Sequence, residues 1–179
     1  SHGAEPVFVR VDSGYSMTHF IRDSQKSGLT GLEWFSRIPG TMGGWIYNNV
    51  HGHTLFIGDF VHCVRSVDRS GNIVVRKWHE LEFDYDYSTF HKNDEVILDV
   101  NLRLFKGNVD LAQEVVREVI IKKNLRQAAN SAGSVFHNIS ADDQIRNSFE
   151  SNSVGYIVDK VLGWNGTHRV GGAWISEKN

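Results

Sequence analysis

A stretch dense in glycine near residue 40 constrains this chain more than any other feature. The apolar run 34–38 ends at Pro39, the turn 40–44 (Gly-Thr-Met-Gly-Gly) follows, and residues 45–49 are expected to open a helix. Glycine permits φ above zero and lets a ligand approach the main chain without meeting a Cβ atom. Together with the Thr41 hydroxyl and the outward amides of a helix start, this turn suits a phosphate or the polar edge of a cofactor. A purely structural turn has the same composition, so the residues alone leave both interpretations open.

Hydrophobic periodicity predicts alternating strands and helices in the first two thirds of the chain. Residues 7–12 alternate as a strand, and Ser16 is expected to cap a helix that ends at Gly28. The runs 57–68 and 73–75 predict a hairpin turned at 68–72. The clearest strand is 96–104, with its even-numbered residues apolar and Asp99, Asn101 and Arg103 on the other face.

The last third reads as helices, a loop and a closing strand. Asp110 is expected to cap a helix over 111–125, and the polar stretch 141–152 is expected to be a loop. A short helix over 154–161 would end at Gly163, and 173–176 would form a final strand. Strands mixed with helices and a hairpin indicate an α+β fold.

Composition excludes several classes of protein. The 179 residues carry a formal net charge of -2 and no cluster of Lys and Arg, which argues against a nucleic-acid binder. The single cysteine, Cys63, rules out an internal disulfide framework and is expected to be a small buried residue. No apolar run approaches the roughly 18 residues of a membrane span, and no signal peptide is visible. We therefore expect a cytoplasmic protein without membrane partners.

Two motifs in the same order resemble UDP-N-acetylenolpyruvoylglucosamine reductase, the flavoenzyme family of bacterial cell-wall precursor synthesis. The first resembles the segment that contacts the flavin in that family: Gly31-Leu32-Glu33, then Ile38-Pro39-Gly40-Thr41, Gly43-Gly44 and Asn48. The second resembles a Ser-Ala-Gly-Ser-x-Phe-x-Asn motif of the family: residues 131–138, Ser-Ala-Gly-Ser-Val-Phe-His-Asn.

The resemblance implies the fold and the domain organisation. Residues 4–127 would form the second lobe of an FAD-binding domain of the vanillyl-alcohol-oxidase type, an antiparallel sheet with flanking helices. Residues 128–179 would begin the C-terminal substrate domain, and residues 1–3 are read as a tag remnant. On this interpretation the chain is a fragment, with a glycine-rich lobe before it and a glutamate of the active site after it.

The resemblance also implies a reaction and the residues that carry it. FAD and NADPH would be the cofactors, and hydride would pass from NADPH through the flavin to the enolpyruvyl double bond of a small nucleotide sugar. Ser134 would donate a proton to the adjacent carbon, whereas without the resemblance it reads as a turn serine that bonds local backbone. Tyr85 and Asn138 would contact substrate, Asn138 also having a structural reading. The implied FAD contacts are Ile38, Gly40, Thr41, Gly43, Gly44 and Asn48.

Two departures from the family pattern leave the activity open. Residues 83–90 resemble Phe-x-Tyr-Arg-x-Ser-x-Phe, but Asp86 stands where an active-site arginine is expected. An arginine clamps a carboxylate, and an aspartate would repel it. Residues 49–53, with His51 and His53, replace a glycine-rich run that contains a tyrosine. The alternatives are a module that binds flavin or a nucleotide sugar without this reaction, or an FAD-linked oxidase with another substrate.

The pair His51 and His53 has the spacing of metal ligands. No cysteine or carboxylate converges with them in the sequence, so we expect loop histidines and predict no metal site. The oligomeric state cannot be predicted from the sequence.

Overall fold

The computed structural model describes residues 5–126, 128, 130–131 and 133–178, and the chain divides into two compact units, 1–120 and 121–179. Helices and antiparallel strands alternate in it, as the predicted α+β class requires. The predicted domain boundary after residue 127, with an FAD-binding lobe before it and a substrate domain after it, remains a prediction.

The first unit contains seven strands and two complete helices within its described residues. Helices α1 and α2 span Met17–Lys26 and Met42–Tyr47. The strands are β1 Val7–Asp12, β2 Leu29–Thr30, β3 His51–Gly52, β4 Leu55–Phe56, β5 Val61–Val67, β6 Ile73–Lys77 and β7 Val96–Lys106. Single 3-10 turns cover Glu33–Phe35, Ile57–Phe60, Trp78–Glu80 and Thr89–His91.

The 11-residue strand β7 organises the main sheet, whose strand order is β1-β7-β5-β6, with β2 also pairing with β7. All of these pairs are antiparallel. The predicted hairpin is present, because β5 and β6 pair from Cys63 opposite Lys77 to Val67 opposite Ile73. A short separate hairpin joins β3 and β4, with His51 opposite Phe56.

The core lies on one face of this sheet. Val100, Leu102 and Leu104 of β7 are fully buried there, as the alternation predicted. The alternation fails at the start of the strand, where Val96 is exposed and Ile97 is buried, beyond a shift in the register of the β5–β7 pairing. The predicted stripe of α1, which includes Met17 and Phe20, packs into the same cluster. These core residues were therefore predicted by the spacing of apolar residues, which repeats about every 2 residues in a strand and every 3.6 residues in a helix.

The opposite face of β7 holds a buried charge that its polar pattern did not predict. Asp99 is only 4% exposed, and Arg65 Nε donates to its two carboxylate oxygens over 3.0 and 2.9 Å. A buried carboxylate needs such a partner. Cys63, expected to be buried, is half-buried, and burial and the nearby Asp99 raise the pKa of its thiol.

Four local predictions were wrong. Helix α2 begins at Met42, not Trp45, and 57–60 is a 3-10 turn closed by the Asp59 carboxylate, which accepts the Phe56 N–H. Asn108 rather than Asp110 caps the long helix, since its Oδ1 accepts two backbone N–H groups. The stretch expected to be a loop over 141–152 contains a helix.

That helix, α4 Ala141–Arg146, has the signals of a helix start. Its N-cap Ser140 accepts the Asp143 N–H at 3.0 Å, and acidic residues fill its first turn. Its residues are largely exposed, so no apolar stripe revealed it.

The second unit is small and built of short elements. Helix α3, Val109–Arg126, leads into it, and after α4 come α5 Val154–Tyr156, a π turn Ile157–Val161 and a hairpin. The hairpin pairs β8 Arg169–Val170 with β9 Ala173–Trp174. The predicted helix end at Gly163 is confirmed by its φ of 64°. Among the described residues, no helix is both long and apolar enough to span a membrane.

Candidate functional site

The glycine segment wraps around one buried aromatic residue. Trp45 is 1% exposed, and its indole Nε1 donates to the Pro39 carbonyl over 3.1 Å. Gly40 has φ 126°, and a Cβ there would lie 3.2 Å from the Trp45 ring. Glycine at position 40 is therefore required by the path of the chain itself.

The first amides of α2 are already used within the chain. Met42 N–H donates to the Tyr15 carbonyl over 3.0 Å, and Gly43 N–H donates to the Ser13 carbonyl over 2.8 Å. The expectation that helix-start amides face a ligand therefore fails for these two groups. With six residues, α2 is also too short to provide an anion site by its dipole.

The two helical glycines differ in their surroundings. A Cβ at Gly43 would lie 2.9 Å from Ser13 Cβ, so this glycine permits the close contact between α2 and residue 13. At Gly44 the nearest atom would be Thr41 Oγ1 at 3.8 Å, which is ordinary contact. Gly44 is exposed, and no neighbouring atom is close enough to require glycine at this position. A glycine in a helix costs about 1 kcal/mol relative to alanine.

The six predicted FAD contacts fall into three groups, the first being Gly40 and Gly43, which the packing of the chain itself explains. Thr41, Gly44 and Asn48 are all exposed and are spaced i, i+3 and i+7, so they lie on one face of α2. Thr41 is the N-cap residue, yet its side chain makes no capping hydrogen bond. Ile38, in contrast, is half-buried against the core. We call the surface of Thr41, Gly44 and Asn48 the α2 face.

Two buried polar residues that were not predicted from the sequence, Ser88 and Asn49, connect the loop 83–90 to the end of α2 by hydrogen bonds. The Ser88 hydroxyl donates to the Tyr47 carbonyl over 2.6 Å. Asn49, 3% exposed, donates from Nδ2 to the Asp84 carbonyl and accepts the Gly58 N–H. Asn49 has φ 43°, in the left-handed region that asparagine adopts more readily than most residues, so its residue type was the only signal in the sequence.

The loop carries Tyr85 and Asp86, and the β3–β4 hairpin meets it there. His51 Nδ1 lies 3.5 Å from Asp86 Oδ1, and the Tyr85 ring stacks on the His51 ring at 5.3 Å. Burial, followed by the charge of Asp86, raises the pKa of the Tyr85 hydroxyl. His53 instead lies against Trp34 at 4.8 Å, so the two histidines separate. No group of three metal-ligating side chains occurs among the described residues.

A cavity of about 220 Å³ opens beside this loop. Aromatic rings and carboxylates line it, together with Asn49 and Gly58: Phe56, Asp59, Trp78, Phe83, Asp84 and Tyr85. A larger groove of about 360 Å³ lies between β1 and α1 and involves none of the predicted site residues.

The predicted proton donor belongs to the second compact unit. Ser134 is exposed, and its hydroxyl makes no hydrogen bond within the part of the chain that the structure describes. The local turn bond belongs to Ser131, whose hydroxyl accepts the Gly133 N–H at 3.0 Å. Asn138 Oδ1 accepts the Val154 N–H at 3.3 Å, in keeping with its structural reading. Residue 132 of this motif lies outside the described residues.

Comparisons with known proteins define first the class of domain. The family described as the FAD binding domain matches residues 3–76, which include the α2 face. A crystal structure of UDP-N-acetylenolpyruvylglucosamine reductase (MurB) from Thermus caldophilus superposes with a TM-score of 0.79 at 25% identity, covering 95% of this chain and 59% of that one. The chain therefore contains an FAD-binding-domain fold, as predicted.

Sequence relatives narrow this class. UDP-N-acetylenolpyruvoylglucosamine reductase of Clostridioides difficile is 31% identical over 94% of this chain, and that of Chlamydia felis is 29% identical over 96%. These alignments cover 52% and 54% of the relatives, so the chain spans about half of their length. The resemblance to the UDP-N-acetylenolpyruvoylglucosamine reductase family is thereby confirmed.

Proposed function

We propose that the chain is part of an FAD-dependent, NADPH-using reductase that acts on UDP-N-acetylglucosamine enolpyruvate in peptidoglycan precursor synthesis, in the cytoplasm. The observation that carries this proposal is the α2 face, which lies inside the region matched by the FAD binding domain. It presents an exposed helical glycine, Gly44, whose Cβ position would meet only Thr41 Oγ1, at 3.8 Å.

The α2 face fits the polar edge of a flat cofactor. Gly44 leaves room for a ring system to approach the helix, the Thr41 hydroxyl is not used in capping, and the Asn48 side chain is exposed. Gly40 and Gly43 support this face indirectly, because they permit the chain path and the helix contact beneath it. FAD, when bound, would supply the hydride chemistry, for which protein side chains have no equivalent.

The residues of the chain would bind, orient and move a proton. Tyr85 and Asn138 are the proposed substrate contacts, with Asn138 also fixing its own loop. The Ser134 hydroxyl would give its proton to the carbon next to the one that receives hydride. A serine hydroxyl is a weak acid, so this role requires surroundings that stabilise the alkoxide left behind. Ser134 is exposed and its hydroxyl has no acceptor among the described residues, so its proton is available to a ligand, and the stabilising surroundings would come from the bound cofactor and substrate.

The experiment is to purify the full-length protein and record its visible spectrum and its NADPH oxidation. A yellow protein that oxidises NADPH only with the enolpyruvyl substrate is expected, with turnover lost in Ser134→Ala and kept in the neighbouring Ser131→Ala. Colourless protein that cannot be reconstituted with FAD would overturn the proposal. The isolated 179-residue chain is expected to bind FAD weakly, since it matches only half of the relatives' length.

One observation favours a second function, a module that binds flavin or a nucleotide sugar without this reaction. Asp86 is held against His51 at 3.5 Å and puts a carboxylate where the family pattern has an arginine. Substrate-independent or absent NADPH oxidation by a yellow protein would select this alternative or an oxidase with another substrate. An increase in turnover in Asp86→Arg would show that the carboxylate limits the reductase reaction.

A further inference from the structure

The two departures from the family pattern contact each other. His51 begins β3 and Asp86 lies 35 positions later in the loop 83–90, yet Nδ1 of the one is 3.5 Å from Oδ1 of the other. Asp86 adopts φ 50°, in the left-handed region, which aspartate tolerates better than most residues. The main-chain bonds of Asn49 and Ser88 hold the loop in place. The backbone that carries Asp86 is therefore held in place by the fold, although both side chains of the pair reach the surface.

Aromatic rings fix the orientation of the imidazole. Tyr85 stacks on His51 with an interplanar angle of 29°, and Phe56 packs at 5.7 Å with an angle of 53°. Because Nδ1 faces the Asp86 carboxylate, Nε2 lies on the opposite edge of the ring. The His51 side chain is 40% exposed, and no hydrogen bond of Nε2 is found among the described residues. A carboxylate at Nδ1 selects the tautomer that carries its proton there.

Two further carboxylates line the cavity of about 220 Å³, which shares Phe56 and Tyr85 with the surroundings of His51. Asp84 lies on the same loop and Asp59 follows β4, and neither has an ion-pair partner among the residues that the structure describes. Their carboxylates accept the backbone N–H groups of Tyr85 and Phe56. The surface thus presents hydrogen-bond acceptors between aromatic rings, a combination that suits neutral hydroxyl or amide groups and repels carboxylates and phosphates.

We propose that Asp86 holds His51 as the Nδ1–H tautomer, so that Nε2 accepts a hydrogen bond from a hydroxyl or amide N–H of a sugar ring lying against Tyr85. The choice of a nucleotide sugar as the ligand rests on the proposed function. The pair meets the sugar itself, and the anionic parts of such a ligand lie elsewhere. His51 is then a binding residue, and Asp86 is its positioning residue.

The first test reads the tautomer directly. In protein labelled with 15N at histidine, the two ring nitrogens of His51 are assigned by the loss of their signals in His51→Gln and are recorded at pH 8.5. We expect the Nδ1–H form, changing to a mixture in Asp86→Ala. His91 is the internal control, because it stacks on Tyr47 at 4.2 Å but no ion pair to a carboxylate is found for it in the described chain. A proton on Nε2, or a tautomer unchanged in Asp86→Ala, overturns the proposal.

The second test uses UDP-N-acetylglucosamine, with UDP alone as the comparison. The Nε2 signal of His51 is expected to move on titration with the sugar nucleotide and not with UDP. Loss of one hydrogen bond in Asp86→Ala should weaken the affinity about threefold to tenfold. His91→Gln should leave the affinity unchanged. No movement of the His51 signal, or equal movement with UDP, overturns the proposal.

The outcomes separate this inference from the proposed function. A protein that holds no FAD but shows the expected His51 response refutes the reductase and retains the sugar site. A yellow, active reductase whose His51 carries its proton on Nε2 refutes the sugar site alone.

Discussion

Neighbouring glycines of α2 should respond to alanine in opposite directions. Gly44→Ala places a methyl group 3.8 Å from Thr41 Oγ1 without a clash and removes the cost of glycine in a helix. We expect the free energy of unfolding to rise by about 0.5–1 kcal/mol. For a chain of this size that corresponds to roughly 1–4 °C in the midpoint of thermal unfolding.

Gly43→Ala should be destabilising in spite of the same helix preference. Its Cβ would lie 2.9 Å from Ser13 Cβ and 3.3 Å from the Ser13 carbonyl oxygen, which also accepts the Gly43 N–H. Forcing one methyl into such a contact costs about 1–3 kcal/mol, which exceeds the gain from the helix. We expect a net loss of about 1–2 kcal/mol.

FAD affinity should be reduced in Gly44→Ala, the more stable variant, and unchanged in Gly43→Ala, the less stable one. In the full-length protein, Gly44→Ala is expected to weaken FAD binding about tenfold, equivalent to about 1.4 kcal/mol, because the methyl enters the space proposed for the ring system. Gly43→Ala should keep its affinity at temperatures where it remains folded. Gly155→Ala is the matched control, since Gly155 is also exposed and helical, with only Ser153 Oγ near its Cβ position at 3.6 Å.

Calorimetry and titration of flavin fluorescence measure the two effects. If Gly43→Ala and Gly44→Ala stabilise equally, the contact with Ser13 does not constrain α2. If Gly44→Ala binds FAD as tightly as Gly155→Ala does, the α2 face is not the flavin site.

Three further variants test the supports of the fold. The hydrogen bond from Arg76 lowers the pKa of Glu95 below its ordinary 4.5. Ionised Glu95 therefore contributes stability that is present above that value and is lost as the pH falls. In urea denaturation, the free energy of unfolding of Glu95→Gln should decrease less between about pH 5 and pH 3 than that of the unchanged protein. Asn49→Ala leaves the Gly58 N–H without its acceptor, whereas the Asp84 carbonyl keeps the Tyr87 N–H. The change should cost about 1–3 kcal/mol in urea denaturation, and an unchanged free energy of unfolding would contradict the anchoring role of Asn49. Asp99→Ala strands the partly exposed Arg65 and should lower the free energy of unfolding by about 1–3 kcal/mol.

The scaffold could be predicted from the sequence wherever burial repeats along the chain. Strand β7 and helix α1 place apolar residues at regular spacing, and both were located by that spacing. Helix α4 was not predicted because it is short, has no buried residue and carries no apolar stripe; its local signals were the capping Ser140 and the acidic residues of its first turn. Periodicity reports burial, and an element that buries no face leaves no periodic pattern.

The glycine segment shows a different limit. The density of glycine marked residues 40–44 as unusual, but the sequence analysis predicted the same role, contact with FAD, for all three glycines. The structure separates them, because Gly40 serves a left-handed turn beside Trp45, Gly43 permits contact with Ser13, and Gly44 has no neighbour that requires it. Only positions in space distinguish a glycine required by packing from one that leaves room for a ligand.

The pairing of His51 with Asp86 could not be inferred from either residue alone. Considered separately, His51 was interpreted as a loop residue, and Asp86 was interpreted as the loss of an active-site arginine. Their contact joins the two departures from the family pattern in one structural unit, because each side chain is the partner of the other. Because Asp86 acts through His51, Asp86→Ala should weaken the binding of UDP-N-acetylglucosamine in the unchanged protein but not further in a His51→Gln background, a non-additivity expected of residues in contact.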